Sequence, residues 1–113
     1  MITLYHNPRC STSRQALNLL EEEGETIEIV NYLENPPSRQ VLKQVIELLG
    51  IKPIELVRTK EDVWKENFKD KKLTDAEIID AMIKYPKLIE RPIAIKGTHA
   101  VIGRPPAKVL DIF

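Results

Sequence analysis

Scarcity is the first feature of this sequence. Among 113 residues there is one cysteine, Cys10, with four glycines, two phenylalanines and one tryptophan. A single thiol cannot form an internal disulfide, so a disulfide-stapled secreted scaffold is excluded and a reducing compartment is expected. Lysine plus arginine and aspartate plus glutamate each number 17, which leaves no net charge. Nucleic-acid binders normally carry a basic excess, so nucleic acid is not expected as a partner. No apolar run approaches the roughly 20 residues that cross a bilayer. The opening stretch has neither the basic start nor the small-residue site of a signal peptide. A soluble, cytoplasmic chain without a membrane partner is expected. There is no glycine-rich phosphate loop and no dinucleotide fingerprint.

What is there reads as one globular domain spanning residues 1–113, with 42% hydrophobic and 30% charged residues in an ordinary balance. Ile2 to Tyr5 are β-formers and give a first strand, and Asn7-Pro8 marks a turn. From Ser11 the pattern becomes helical, with Ala16, Leu17, Leu19 and Leu20 as the apolar stripe and Gly24 as the stop. Thr26 to Tyr32 alternates, placing Ile27 and Ile29 on one face of a second strand. Ser38 caps a helix carrying Val41, Leu42, Val45, Ile46 and Leu49, which ends at Gly50. Pro53 to Val57 forms a short helical turn. The lysine-rich stretch around Trp64 and Phe68 is read as a loop with no assigned structure. Thr74 to Glu77 has the form of a capping box opening a helix through Ile78, Ile79, Met82 and Ile83. Pro92–Ile95 and Ala100–Ile102 make a hairpin about Lys96-Gly97-Thr98, and Pro105-Pro106 opens a last short helix. The order β-α-β, helices, β-β-α predicts an α/β, thioredoxin-like fold with a helical insertion.

Cys10 falls between the first strand and the first helix. Unpaired backbone N–H groups and the helix dipole favour negative charge there, which suits both a thiolate and a bound oxyanion. Ser11, Thr12 and Ser13 add hydroxyls, and Cys10 to Ser13 is a C-x-x-S spacing. The helix end alone is too weak to activate the sulfur. It supplies about 0.3–1 kcal/mol, whereas each tenfold gain in thiolate requires about 1.4 kcal/mol. Cationic neighbours or direct hydrogen bonds must add the rest, and His6 and Arg9 are the nearest in sequence. An arbitrary lone cysteine is more often a small buried hydrophobe. The polar, turn-forming, cationic surroundings of Cys10 argue instead for a nucleophile. His6 could orient the loop, donate to the thiolate or cap the strand. His6 and His99 belong to no metal-ligand set, so no metal is expected.

The blocks YHNPRCSTSR, NYLENPPSR, ELVRTK, LIERPI and GRPPAKVL, in this order and spacing, resemble the glutaredoxin-coupled arsenate reductases of the ArsC type over nearly the whole chain. That resemblance implies a thioredoxin-like fold and an oxidoreductase that reduces arsenate to arsenite, in arsenical resistance. It implies glutathione as co-substrate, glutaredoxin as partner and no bound cofactor. The family nucleophile falls on Cys10, and its anion-binding arginines on Arg58, Arg91 and Arg104. The histidine near the nucleophile falls on His6, and Pro92 matches the proline usually held cis beside such sites. Ser13 takes the place where a C-x-x-C enzyme has its second thiol. Longer members continue past the position of Phe113, so contacts that depend on such a tail are not expected here.

Arginine meets an oxyanion with two parallel hydrogen bonds. Three of them against one thiolate leave a positive excess suited to a doubly charged oxyanion. Taken singly, each arginine is more often a surface residue paired with an acid such as Glu55 or Glu90. Two other classes fit parts of the pattern. Spx-type transcription regulators share the fold and bind RNA polymerase, but commonly switch through a C-x-x-C that Ser13 removes here. Related glutathione-dependent thiol reductases tend to lack part of the arginine set. Nothing in the sequence demands more than a monomer.

Overall fold

The computed structural model describes all residues, 1–113. The chain forms two compact units, residues 1–35 with 91–113, and residues 36–90.

The first unit is built on a four-stranded sheet: β1 (Ile2–Tyr5), β2 (Ile27–Val30), β3 (Ile93–Lys96) and β4 (His99–Ile102), in the order β2-β1-β3-β4. β1 runs parallel to β2, which requires a crossover, supplied by helix α1 (Ser11–Glu22). β3 and β4 are antiparallel and joined by a tight turn at Gly97, whose φ of +60° is the left-handed conformation glycine adopts without strain. Ala16 and Leu20 of α1 pack with Ile2, Leu4, Ala94, Val109 and Ile112 into one buried cluster. Val109 and Ile112 come from the last segment, which is 3-10 rather than α-helical (Pro106–Ile112). The second strand is shorter than its alternation suggests. Because β2 is an edge strand, Ile29 is 50% exposed despite sharing a face with Ile27.

The second unit is helical. α2 (Arg39–Leu49) is capped by the Ser38 side chain and stops at Gly50, whose φ is +68°. A short 3-10 turn (Pro53–Leu56) follows, then α3 (Asp62–Asn67), α4 (Asp75–Lys84) and a further 3-10 turn at Pro86–Leu88. The capping box at Thr74 and Glu77 forms as the sequence suggests. Leu42, Val45, Ile46, Leu56, Trp64, Ile79, Met82 and Leu88 are among its buried side chains. No helix is long and apolar enough to cross a membrane. The sheet order, the parallel β1-α1-β2 crossover and the antiparallel β3-β4 pair make this a thioredoxin-like fold.

Candidate active site

Strand register decides what surrounds Cys10. Tyr5, the last residue of β1, lies opposite Ile93, the first of β3, and Ile93 lies opposite Ile102, the last of β4. The segments after β1, before β3 and after β4 therefore emerge at one end of the sheet. They carry His6–Cys10, Arg91–Pro92 and Gly103–Arg104. The Gly103 amide donates to the Pro92 carbonyl at 2.9 Å, and Arg104 Nε donates to the Arg91 carbonyl at 2.9 Å. The Arg91–Pro92 peptide is cis, as the family resemblance implies, and Arg104–Pro105 is cis as well.

Cys10 is the N-cap of α1 in extended conformation, half-buried, and its carbonyl accepts the first helical amide, that of Arg14, at 3.0 Å. Its amide donates to the Asn7 carbonyl at 3.0 Å, closing the turn before it. Arg104 Nη2 approaches Cys10 Sγ at 3.6 Å. Burial pushes the thiol pKa up. The Ser13 backbone N–H, a hydrogen bond and charge from Arg91, and the charge of Arg104 more than offset it, and the thiol lies below its ordinary value. The distant arginines supply the positive charge that the helix end lacks.

Of the roles the sequence leaves open to His6, its contacts favour orienting the loop. His6 is buried, and its Nδ1 shares a 2.6 Å hydrogen bond with Ser13 Oγ. Burial and the Arg14 charge lower its pKa, so the neutral ring is favoured and His6 brings no added charge to the sulfur. Ser13 Oγ also accepts the Asn7 amide at 3.1 Å. Its hydroxyl is thus committed to the loop, while its backbone N–H serves the thiolate. Asn7 Oδ1 accepts the Arg9 amide at 3.0 Å, and Arg14 Nη1 donates to the Pro8 carbonyl at 2.9 Å. These bonds hold the loop from both sides.

The sequence marked Asn7 only as a turn residue and gave Arg14 no role. The seven-residue spacing from His6 to Ser13 was the available signal. Gly103 was also missed as a packing residue. A Cβ there would lie 2.7 Å from Val109 Cγ1 and 2.8 Å from Pro92 Cγ, so only glycine fits without a shift.

The structure thus brings Cys10, Arg91, Arg104, His6, Ser13 and Pro92 together within the first unit. Arg58 belongs to the second unit, where its side chain pairs with Glu61 and Glu90, each at 3.4 Å. Its amide donates to the Leu88 carbonyl at 2.7 Å, beside the Val57–Ile89 bridge. No group of three His, Cys, Asp or Glu side chains is placed to hold a metal ion.

The family model described as the ArsC family matches residues 5–112. The uncharacterized protein YfgD of Escherichia coli K12 is 48% identical, over 98% of this chain and 95% of that protein. The arsenate reductase of Haemophilus influenzae is 42% identical, over 98% of this chain and 97% of its own. Among solved structures, the arsenate reductase from Vibrio cholerae matches with a TM-score of 0.94 at 43% identity, covering 99% of this chain and 97% of that one. A thiol beneath an arginine at a helix N-terminus, on a chain matched almost end to end, leads to one conclusion: this chain belongs to the ArsC family.

Proposed function

We propose that the chain is an arsenate reductase in which Cys10 is the nucleophile. The observation that carries this reading is the Cys10 sulfur under the Arg104 guanidinium at 3.6 Å, with its thiol pKa lowered. Arg91 and Arg104 bind and polarise the oxyanion, and Arg58 is a further anion ligand. His6, Ser13 and Pro92 support the loop geometry. The proposed unit of function is a single domain, since the family match spans residues of both units. It is proposed to act as a monomer in the cytoplasm.

The thiolate forms a sulfur–arsenic bond to arsenate, and one arsenate oxygen takes up protons and leaves as water. With no second cysteine in the chain, both further sulfurs come from outside. Glutathione, the proposed co-substrate, bonds to arsenic through its sulfur and displaces a second oxygen as water. The glutaredoxin thiolate then attacks the glutathione sulfur. The electron pair of the arsenic–sulfur bond stays on arsenic, reducing arsenic(V) to arsenic(III) and leaving a glutaredoxin–glutathione disulfide. Water releases arsenite and returns the Cys10 thiol. No bound cofactor is required. The single thiol and the arsenate reductases among the relatives favour this over an Spx-type regulator.

The test is NADPH consumption with glutathione, glutaredoxin and glutathione reductase, started by arsenate. The wild type is expected to show arsenate-dependent consumption and Cys10→Ser none. Retention of about a tenth of turnover, a loss of only ~1.4 kcal/mol in barrier, would overturn the nucleophile.

A further inference from the structure

Beside the nucleophile loop lies a pocket of about 230 Å³ lined by Asn7, Pro8, Arg9, Asn31, Leu33 and Glu34. All belong to the first unit, and the reaction as derived makes no use of the pocket. Two of its side chains carry opposite charge. The ion pairs of the protein join Arg39 to Asp80, Arg58 to Glu61 and Glu90, Lys87 to Glu61, and Lys96 to Glu25. The exposed Arg9 guanidinium and Glu34 carboxylate take part in none of them. Asn31 adds a buried Oδ1 that receives no hydrogen bond, although its backbone carbonyl accepts the Glu34 and Asn35 amides. A cation and an anion that line one pocket, neither of them ion-paired, leave both charges available to a ligand. That ligand should carry both signs of charge. A doubly negative oxyanion would meet Glu34 as a repulsive neighbour.

We propose that this pocket is the docking subsite for the thiol co-substrate and holds the γ-glutamyl end of glutathione. The inference rests on the glutathione-dependent reading above. Glu34 receives the ammonium group, Arg9 receives the α-carboxylate through paired hydrogen bonds, and the Asn31 amide serves the adjoining peptide group. Pro8 and Leu33 line the pocket along the methylenes. The size agrees: sites enclosing a whole drug-sized ligand run about 300–1,000 Å³, so this one suits a single arm of a tripeptide. Reach agrees as well. Arg9 and Cys10 are adjacent, with Cα atoms about 3.8 Å apart, and an extended tripeptide spans roughly 10 Å. With its amino end at Arg9 and Glu34, the tripeptide can bring its thiol to an adduct on Cys10. The two substrates then meet at the sulfur from separate subsites, the oxyanion from the Arg91 and Arg104 side and the thiol from the Arg9 and Glu34 side.

The test is calorimetric titration with S-methylglutathione, whose blocked sulfur cannot react, alongside steady-state kinetics. The wild type should bind it, and Glu34→Gln and Arg9→Gln should each weaken binding about tenfold or more, the scale of a charged hydrogen bond. N-acetylation of the ligand amine should weaken binding to the unaltered protein by the same factor, which tests the idea without any substitution. In turnover, the KM for glutathione should rise in both variants while that for arsenate stays unchanged. Absence of binding at millimolar ligand, or equal binding by wild type, Glu34→Gln and the acetylated ligand, would overturn the subsite. Binding that shows the Glu34 and Arg9 dependence in a protein without arsenate turnover would remove the arsenate reading and support the subsite.

Discussion

The two compact units bury different kinds of side chain. The first buries His6, Asn7 and Ser13 along with its apolar core, whereas the second buries no polar or charged residue. Its charges lie nearer the surface as ion pairs, such as Arg39 with Asp80 and Arg58 with Glu61 and Glu90. Burying polar groups costs free energy unless every one is hydrogen-bonded. The first unit accepts that cost and meets it by linking the Asn7 amide, Ser13 Oγ and His6 Nδ1 into one network. The result is a loop that holds Cys10 in one geometry beneath Arg104. The arginines show the same contrast. Arg104 is oriented by a backbone carbonyl and directed at sulfur, while Arg58 is held between two carboxylates.

The largest effects should separate those arginines. Arg91→Ala and Arg104→Ala are each expected to lose about ten- to a hundred-fold in kcat/KM for arsenate, the ~1.5–3 kcal/mol of a charged hydrogen bond. Lysine should restore only part of it, since the charge returns without the two-pronged geometry. Arg58→Ala should lose less, because its guanidinium is already shared between Glu61 and Glu90. An equal loss at all three positions would erase the contrast.

Next in size is the buried network. Ser13→Ala leaves the Asn7 amide and His6 Nδ1 without their shared partner. Stability should fall by about 1–3 kcal/mol, read as a lower urea midpoint. Iodoacetamide alkylation of Cys10 should change in the same variant, because the loop that positions the sulfur is released. An unchanged urea midpoint would show that the network is not structural.

How much of this was legible in the sequence depends on how local the cause is. The strand, turn and helix around Cys10 follow from nearby residues, and they formed as read. The capping boundaries at Ser38, Gly50 and Thr74 are likewise local chemistry. Helix α3 was not legible: its lysine-rich sequence presents one buried side chain, Trp64. Trp64 stacks near Phe68 at 5.3 Å, and Phe68 meets Tyr85 at 6.0 Å, a contact across 17 positions that periodicity does not reveal. The exposure of Ile29 was not legible either, because alternation gives the face of a strand and not its place in the sheet. The site divides in the same way. Cys10 at a helix N-terminus is readable locally, but the approach of Arg91 and Arg104 depends on the Tyr5–Ile93 and Ile93–Ile102 register. Which of the roles open to His6 its contacts favour depends on its partner, Ser13, whose place is set by how the loop closes.

The smallest expected effect is on the pH dependence of stability. Burial and Arg14 hold the His6 pKa below 6.5 in the folded protein. The unfolded chain therefore binds a proton near pH 6.5 that the folded one takes up only at lower pH. Stability from neutral His6 is fully present above that pH and falls as pH drops through 6.5 toward the lowered folded value. The slope for one proton cannot exceed about 1.4 kcal/mol per pH unit. His6→Gln should flatten that part of a urea-midpoint profile, and a slope identical to wild type would show that another group is responsible.

The central claim is that arginines from the far end of the chain hold Cys10 as a thiolate, and its ultraviolet titration tests this most directly. The wild-type midpoint should lie below the value of about 8.5 for a free thiol, and Arg104→Ala should move it upward. A wild-type midpoint at or above about 8.5, unmoved by Arg104→Ala, would contradict the account.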